Sequence, residues 1–356
     1  MPQKFRSPHH SGLRVSRSHL FSAIALTVTA CVSLAGATGA RAASNYHIVN
    51  KYAIGGDGGW DYLNVDPDSG RLFVSRGTHV QVIDTSTGKV IGDIPNTEGV
   101  HGIAIDNELN RAFTSNGRDA SVSEIDLGTL TEVRRIKVDN GPDCIIYDPA
   151  SKRVFTFNGR SSDSSAIDAA TGTVAGTIAL DGKPEYAAPD GEGHVFVNIE
   201  DKSEITEIDS NTLKVLNVWP IAPGDSPSGL AIDPKHHRLF SVCHNNFMVV
   251  LDTETGKVVA TPSIGNGPDA AKFDPHGDLA FSSNGQSGTL TIVHEKDPNT
   301  FDVVADVPTQ NGARTMALDT KTHHIYLATA QFTPPPPGAR RGTMVPGSFT
   351  ILEVAP

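Results

Sequence analysis

The sequence predicts an all-β chain of seven repeats, closed into a ring as a seven-bladed β-propeller. Three observations predict this fold class. A ten-residue phrase, NGPDCIIYDP at 140–149, returns as NGPDAAKFDP at 266–275, and weaker copies recur every 40 to 45 residues. Within one period the sequence has the pattern of short strands. The last copy lacks a final strand, while an unpaired strand precedes the first copy.

Each copy of the phrase closes with an aspartate or aligns one at that position, which fixes the register of the repeat. Successive aspartates are separated by 40, 42, 42, 43, 41 and 45 residues. The seven positions are Asp66, Asp106, Asp148, Asp190, Asp233, Asp274 and Asp319. One period therefore accounts for nearly the whole chain, as in arrays of a single supersecondary unit.

Each repeat contains four short strands. The second repeat gives them in order as GIAID, RAFTSN, SVSEID and TEVRRIKV, separated by turns such as NELN and LGTL. No window of the region sustains a helical period. Four strands in 40–45 residues, with Gly, Asp, Asn and Pro in the turns, are typical of a propeller blade.

Ring closure is predicted to involve both termini. The seventh copy stops at Pro356 without a fourth strand, and residues 46–54 (YHIVNKYAI) form a strand with no partner in the first copy. We therefore expect 46–54 to be the outer strand of blade seven. This closure predicts seven blades rather than six or eight.

The first 42 residues have the pattern of a secretory signal peptide. Five basic residues occur with no acidic one, an apolar stretch runs from Leu20 to about Ala37, and ARA ends at Ala42. Cleavage after Ala42 would leave one domain, 43–356, in the periplasm or outside the cell. VTAC before Cys31 loosely matches a lipobox, so a lipid-anchored envelope protein is the alternative.

Without that segment the chain has 24 basic and 40 acidic side chains, a net charge of −16. Such a field repels phosphate backbones, so no general nucleic-acid binding is expected. The mature chain has no transmembrane span in its sequence and is expected to be a monomer. Its two cysteines, Cys144 and Cys243, lie in non-adjacent repeats and are predicted to be buried, unbridged residues.

The second strands carry a further pattern. They read RLFVSR, RAFTSN, RVFTFN, HVFVNI, RLFSVC, LAFSSN and HIYLAT, and D-x-x-T-G-K-V follows at 84–90 and 252–258. In this the chain resembles the YVTN-type β-propeller repeats of exported YncE-like proteins, over residues 46–356. No blade contains the literal Tyr-Val-Thr-Asn. The resemblance implies a binding or scaffold protein and does not by itself define an activity.

A candidate ligand site follows from the repeat. The residue five before each closing aspartate begins the innermost strand, so seven such residues meet at the channel mouth, and six are ionisable. They are Asp61, His101, Asp143, Glu185, Ser228, Asp269 and Arg314. Loops on the same face add Asn116, Arg118, Asn158, Arg160, Asn284 and His244. These groups predict a small-ligand site. The alternative is that they cap strands, hold water or form turns.

Motifs of common enzymes are missing from the sequence: no G-x-S-x-G elbow, no H-E-x-x-H, and neither a phosphate-binding loop nor a dinucleotide fingerprint. Propeller lactonases have a similar architecture and bind a divalent cation in the channel. By that analogy His101, Asp143 and Glu185 are candidate ligands for Ca²⁺ or Mg²⁺. The pairs His236–His237 and His323–His324 fall in turns of the opposite face and are predicted to be surface residues.

The sequence as a whole favours an exported propeller that binds a small ligand or a partner at its central face without chemistry. The alternatives are a metal-assisted hydrolase of the lactonase type and a docking scaffold for another envelope protein. The ligand is not identified by the sequence.

One insertion breaks the period. The loop QFTPPPPGARRGTMVPG at 331–347 is long, and its four prolines favour an extended segment. We expect a lid that brings Arg340 and Arg341 toward Asp61, Asp143 and Asp269, with a mobile surface loop as the alternative.

Overall fold

The computed structural model describes residues 45–56, 58–336, 338 and 342–356. This part of the chain contains no helix and forms seven antiparallel four-stranded sheets. The all-β, seven-bladed fold class is confirmed. The predicted signal peptide, the lipobox Cys31, and Arg340 and Arg341 of the predicted lid lie outside the described residues.

The strands are numbered in chain order; after β1, blades one to six use four successive strands each, and blade seven uses the last three together with β1. They are β1 His47–Ala53; β2 Leu63–Asp66, β3 Arg71–Ser75, β4 Val80–Asp84, β5 Lys89–Ile94; β6 Val100–Asp106, β7 Arg111–Asn116, β8 Ser121–Asp126, β9 Thr131–Lys137; β10 Pro142–Asp148, β11 Arg153–Asn158, β12 Asp163–Asp168, β13 Val174–Ala179; β14 Pro184–Pro189, β15 His194–Ile199, β16 Glu204–Asp209, β17 Lys214–Pro220; β18 Pro227–Asp233, β19 Arg238–Cys243, β20 Phe247–Asp252, β21 Val258–Ala260; β22 Pro268–Asp274, β23 Leu279–Asn284, β24 Thr289–Asp297, β25 Thr300–Pro308; and β26 Thr315–Asp319, β27 His324–Thr329, β28 Thr350–Ala355.

The repeated aspartate has a local structural cause. In every blade its carboxylate accepts a backbone N–H two residues later, at distances from 2.7 to 3.3 Å. This side-chain turn reverses the chain between the first and second strands. The residue repeats because each blade has to make the same tight turn.

The hydrophobic core is divided among the seven blade junctions. Seven buried clusters each draw side chains from two adjacent blades. The second strand of each blade contributes at least one aromatic ring that is no more than 2% exposed: Phe73, Phe113, Phe155 with Phe157, Phe196, Phe240, Phe281 and Tyr326. A single blade cannot cover these rings, so the stacking of neighbours stabilises the fold.

Blade seven contains strands from both termini. Its sheet order is β1-β28-β27-β26, with β1 antiparallel to β28 from the His47–Ala355 pair to the Ala53–Thr350 pair. One hydrophobic cluster joins this blade to blade one through residues such as Leu63 and Phe349. Every inner strand also contacts the inner strands of both neighbouring blades, including β2 with β26.

Cys144 and Cys243 are buried and free, as predicted. No helix among the described residues has the length and apolar character needed to cross a bilayer.

The prediction that both histidine pairs are surface residues is only partly correct, because three of the four are half-buried and paired with carboxylates. His236 lies 2.7 Å from Asp233, His323 lies 2.8 Å from Asp274, and His324 lies 2.6 Å from Glu353. Their partners are carboxylates that are almost completely buried, and spacing along the chain does not reveal such pairs. His237 alone is exposed.

The pairing of β1 with β28 generates the first prediction. Deleting residues 46–53 would leave the whole edge of β28 without hydrogen-bond partners and would remove the outer strand of blade seven. We expect the single cooperative thermal transition to broaden and the chain to aggregate. Circular dichroism melting and light scattering measure both effects.

The matched control replaces exposed side chains of the same strand, Val49→Ala with Lys51→Ala, and keeps the backbone pairing. It should shift the free energy of unfolding by less than about 1 kcal/mol, as is usual for surface changes. A truncated chain that melts as the control does would show that β1 is dispensable for closure.

Candidate functional site

The residues predicted for the channel mouth lie at bulges in the inner strands. In five blades the pairing with the second strand shifts register one to two residues after the inner strand begins. The shifts fall between Val100 and Ile103, Pro142 and Ile145, Pro184 and Ala187, Pro227 and Leu230, and Pro268 and Ala270. A bulge turns the extra residue out of the ladder. Here those positions include His101, Asp143 and Glu185.

A cavity of about 570 Å³ opens at this mouth. Its side-chain lining consists of Trp60, Asp61, Val100, His101, Arg118, Asp143, Arg160, Lys183 and Arg314, with glycines of the loops between them. The ionisable members of that set are five basic side chains and two carboxylates. Although the chain is acidic overall, its central cavity is lined mainly by basic groups.

A chain of ion pairs crosses the floor of the cavity. Asp61 is its centre, because one carboxylate oxygen lies 2.6 Å from His101 Nδ1 and the other 3.2 Å from Arg314 Nη2. Arg314 Nε continues to Asp269 at 2.8 Å, and His101 Nδ1 is 3.4 Å from Asp143 Oδ1. The side chains of five blades are thereby held in one arrangement.

Lys183 forms a second ion-pair group in blade four. Its Nζ is 3.1 Å from Glu185 and also contacts Glu200. Aligning the closing aspartates places Lys183 where blades three and six have Gly141 and Gly267. That substitution within the repeat is the sequence signal by which Lys183 could have been found.

Burial shifts the acid–base behaviour of this floor. Removal from water raises the pKa of Asp143 to about 7, with His101 opposing and Asp61 adding to the shift. Burial likewise raises the pKa of Glu185 to about 7, against the effect of Lys183. It raises the pKa of Asp269 to about 6, against Arg314. The floor therefore exchanges protons near neutral pH.

His101 shows the opposite balance. Burial lowers its pKa, but the hydrogen bond to Asp61 and the charge of Asp143 outweigh burial and raise the pKa above the ordinary value. The imidazolium is stabilised between two carboxylates.

The rim explains why the phrase NGPD occurs twice. Gly99, Gly141 and Gly267 have φ of +68°, +70° and +65°. A Cβ on any of them would lie 2.5 or 2.6 Å from the side chain of Arg118, Arg160 or Gln286, respectively. Glycine is required for both the conformation and the close approach. The loop thus supports the stem of a long polar side chain at the cavity edge.

Several predicted site residues lie away from the cavity. Asn116, Asn158 and Asn284 are fully buried, and each donates its amide to two side chains of its own blade. These three asparagines were predicted to line the site, and that prediction is wrong. Each asparagine side chain turns into its blade, while the residues after it face the mouth.

The remaining predicted residues differ in their distance from the cavity. Ser228 is 2% exposed and donates toward the carbonyl oxygens of Val242 and Pro268. His244 is exposed outside the lining. Glu185 and Asp269 do not line the cavity themselves and contact it through Lys183 and Arg314.

The set of candidate metal ligands also changes. Asp61, His101 and Asp143 bring their ligand atoms within 4.8 Å of one another. Glu185, predicted as the third ligand, is paired with Lys183 instead. One imidazole and two carboxylates are suitable donors for a divalent cation, although Arg314 already occupies Asp61.

Trp60 and the blade-seven insertion add an apolar side to the mouth that the repeat pattern does not predict. A neighbouring cavity of about 370 Å³ is lined by Trp60, Arg314, Phe332, Thr343 and Met344 among others. The ring centroids of Trp60 and Phe332 are 6.1 Å apart, and Trp60 Nε1 is buried without an acceptor among the described residues. This second cavity shares Trp60 and Arg314 with the first.

The base of the insertion is a short hairpin. Phe332 bridges Met344, and the backbone N–H groups of Thr333 and Val345 donate to Thr343 and Gln331 at 2.9 and 2.8 Å. The loop therefore begins beside the mouth. The lid stays a prediction, since its two arginines lie outside the described residues.

Comparison with known proteins gives the fold and no family. No protein-family model matches the chain, and no curated protein matches it. Among solved structures it is similar to hydrazine synthase of Kuenenia stuttgartiensis, with 19% identity and a TM-score of 0.68 over 76% of this chain and 92% of that one.

Two further solved structures are also similar. U3-55K has 10% identity and a TM-score of 0.72, covering 87% of this chain and 99% of that chain. The WD40 repeats of RRP9 have 10% identity and a TM-score of 0.73, covering 88% and 98%. At such identities the likeness shows a β-propeller and carries no activity.

The raised pKa of Asp143 generates a prediction about pH. Between about pH 4 and pH 7 the folded protein retains a proton that the unfolded chain has released, so stability falls as pH rises through this range. Asp143→Asn removes that loss. Its free energy of unfolding should exceed that of the wild type by an amount that grows to on the order of 1–3 kcal/mol at pH 7.5. Urea unfolding at several pH values measures the difference.

Asp126→Asn is the control of opposite sign. Backbone and side-chain hydrogen bonds from Thr129 lower the pKa of Asp126. This variant should be less stable than the wild type at neutral pH, and its deficit should shrink as pH falls toward 3. Parallel pH profiles for wild type and Asp143→Asn would contradict the assigned burial of Asp143.

Proposed function

We propose that the protein is an exported, YncE-like β-propeller that binds a small organic anion in the channel mouth without converting it. The observation that carries this proposal is the lining of the 570 Å³ cavity, in which five basic side chains accompany two carboxylates. A cavity of this size is in the range of small-ligand sites. Export is supported by the pattern of residues 1–42. The intact mass of the periplasmic protein should then correspond to a chain that begins at Ala43.

The proposed ligand has an anionic group and an apolar part. Arg118 and Arg160 are exposed at the rim and stand over glycines that fix their stems. Arginine pairs with carboxylate or phosphate through two parallel hydrogen bonds, so these residues are suited to hold the anion. Trp60, Phe332 and Met344 offer an adjoining apolar surface, and Trp60 Nε1 supplies an unused donor.

The floor supplies orientation rather than chemistry. His101 and Arg314 are each held by Asp61 and by a second carboxylate, so their positions are fixed before a ligand arrives. Preorganised donors of this kind bind without the cost of ordering long side chains.

Tryptophan fluorescence tests this proposal directly. The chain has two tryptophans, and Trp219→Phe leaves Trp60 at the mouth as the only one. We expect benzoate and phenyl phosphate to change its emission saturably, and the uncharged benzamide and the cationic benzylamine to bind at least about 10-fold more weakly. Charge-assisted hydrogen bonds are worth about 1.5–3 kcal/mol, which corresponds to that ratio.

The variants Arg118→Gln and Arg160→Gln introduce the residue that blade six has in the same place, Gln286. Each should lower the affinity for benzoate about 10-fold, and Arg135→Gln on the outer strand β9 should leave it unchanged. Stronger binding of benzylamine than of benzoate, or equal affinities in all three variants, would exclude an anion site.

A metal-assisted hydrolase of the lactonase type is the second candidate, favoured by the grouping of Asp61, His101 and Asp143. It requires Ca²⁺ or Mg²⁺ at these residues. Calorimetric titration of both ions into wild type and Asp143→Asn tests it. Heat that disappears in the variant would support the hydrolase, and no heat in either protein would exclude it. A docking scaffold, the third candidate, would instead place partner contacts on the outer rim.

A further inference from the structure

A second cluster of ionisable side chains lies at the junction of blades five and six, at the end of the inner strand away from the mouth. Asp233 closes β18, and His236 follows in the next turn. Glu295 comes from β24, the third strand of blade six. The ligand atoms of the three residues lie within 4.8 Å of one another, so the cluster bridges two blades.

The atoms of this cluster lie close enough together to share one cation. His236 Nδ1 lies 2.7 Å from Asp233 Oδ2 and 3.2 Å from Glu295 Oε1. A tetrahedral ion with bonds of about 2.0 Å separates its ligand atoms by about 3.3 Å. His236 Nδ1, Asp233 Oδ2 and Glu295 Oε1 form ion-pair contacts, yet none of them has an aligned hydrogen-bond partner among the described residues.

The acidic members of the cluster are buried, and the oxygens that face the cluster accept no hydrogen bond from the described residues. Glu295 is 3% exposed, and neither of its carboxylate oxygens accepts a hydrogen bond from a described residue. Asp233 is 2% exposed; its Oδ1 accepts the N–H of Lys235 at 3.0 Å, which leaves Oδ2 for the cluster. Buried carboxylates without donors cost free energy. A cation bound between them would remove that cost.

A neighbouring arginine orients the turn without neutralising the acids by direct pairing. Arg238 donates to Asp252 at 2.7 Å and to the carbonyl oxygen of Pro298 at 2.6 Å. It also donates to the carbonyl oxygen of His236 at 3.1 Å, which holds the backbone that carries the imidazole.

His236 and Glu295 both differ from the residues at the equivalent positions of the other blades. The position of His236 is occupied elsewhere by Ser69, Leu109, Ser151, Gly193, Gly277 and Thr322. The position of Glu295 is occupied by Thr85, Leu127, Ala169, Ser210, Thr253 and Pro356. The repeat therefore folds without either group. An imidazole and a carboxylate replace small or neutral residues at one junction, where they meet.

We propose that Asp233, His236 and Glu295 bind a divalent transition-metal ion of the Zn²⁺ type, which joins blade five to blade six. One imidazole and two carboxylates suit such an ion, with water as the fourth ligand. Ca²⁺ and Mg²⁺ prefer sites built from oxygen atoms alone. The side chain of His236 is 23% exposed, so an ion can reach the cluster from solvent.

Zinc titration tests the proposal on the full, tag-free chain. We expect one equivalent of Zn²⁺ to bind the wild type, in competition with a chromophoric chelator, and to raise the melting temperature. Glu295→Thr and His236→Ser restore residues found in sister blades. Each should weaken Zn²⁺ binding by more than about 100-fold and abolish the zinc-dependent shift in melting temperature.

Two controls separate this site from other histidines. His237→Asn changes the exposed neighbour, and His101→Gln changes the cluster at the mouth; both should keep the junction-bound equivalent. Without metal, Glu295→Thr should melt at the wild-type temperature or above, because it removes an unpartnered buried acid. The isosteric Glu295→Gln provides the same comparison should the threonine variant fail to fold.

Three outcomes would overturn the proposal. Zinc binding lost in His101→Gln but kept in Glu295→Gln would place the ion at the mouth. Binding that is equal in all variants would place it on surface groups, and a wild type with no zinc equivalent would leave the cluster a purely structural one. The absorption spectrum of the Co²⁺-substituted protein, tetrahedral in wild type and absent in Glu295→Gln, is the supporting spectroscopic result.

Discussion

The geometry of this molecule depends on the convergence of seven inner strands on one axis. Because the blades share one register, the residue at a given place in each inner strand meets its counterparts at the same end of the channel. The turn aspartates hold that register on one side, and the bulges displace the first residues of five inner strands on the other. Charge at the mouth is therefore a property of the ring rather than of any one blade.

Convergence also requires the charges to compensate one another. Asp61 and Asp269 would repel across a narrow opening, and Arg314 from blade seven lies between them. His101 is shared by Asp61 and Asp143 in the same way. Five basic side chains and the carboxylates of Asp61 and Asp143 line the cavity, while Glu185 and Asp269 lie behind Lys183 and Arg314. This lining is the basis of the proposed anion site, although the chain as a whole is acidic.

The fold could be predicted from the sequence because the repeat consists largely of turn-forming residues, whose effect on the backbone is local. Three residue types have the same structural role in each blade: the closing aspartate, a glycine of positive φ and an aromatic residue in the second strand. They therefore recur at a regular spacing that is visible in the sequence. The period also predicted that Asp61, His101, Asp143 and Arg314 lie at the channel mouth, because residues at equivalent places in the repeat meet there.

The features of the site that the sequence did not predict depend on side-chain direction and on contacts between blades. Asn116 and Asn158 precede glycines as turn residues do, yet their amides bond inside the blade. Lys183 and Trp60 occupy places where other blades have different residue types, so periodicity conceals them. Glu295 and His236 are 59 residues apart and meet only because adjacent blades pack together. Departures from the repeat, rather than the repeat itself, mark these sites.

A crystal structure of the protein with benzoate bound tests the proposed anion site most directly. We expect the benzoate carboxylate within hydrogen-bond distance of Arg118, Arg160 or Lys183, with the ring against Trp60 and the ion pairs of Asp61 unchanged. Benzoate bound outside the channel mouth, or a mouth in which Arg314 has left Asp61 and Asp269, would contradict it.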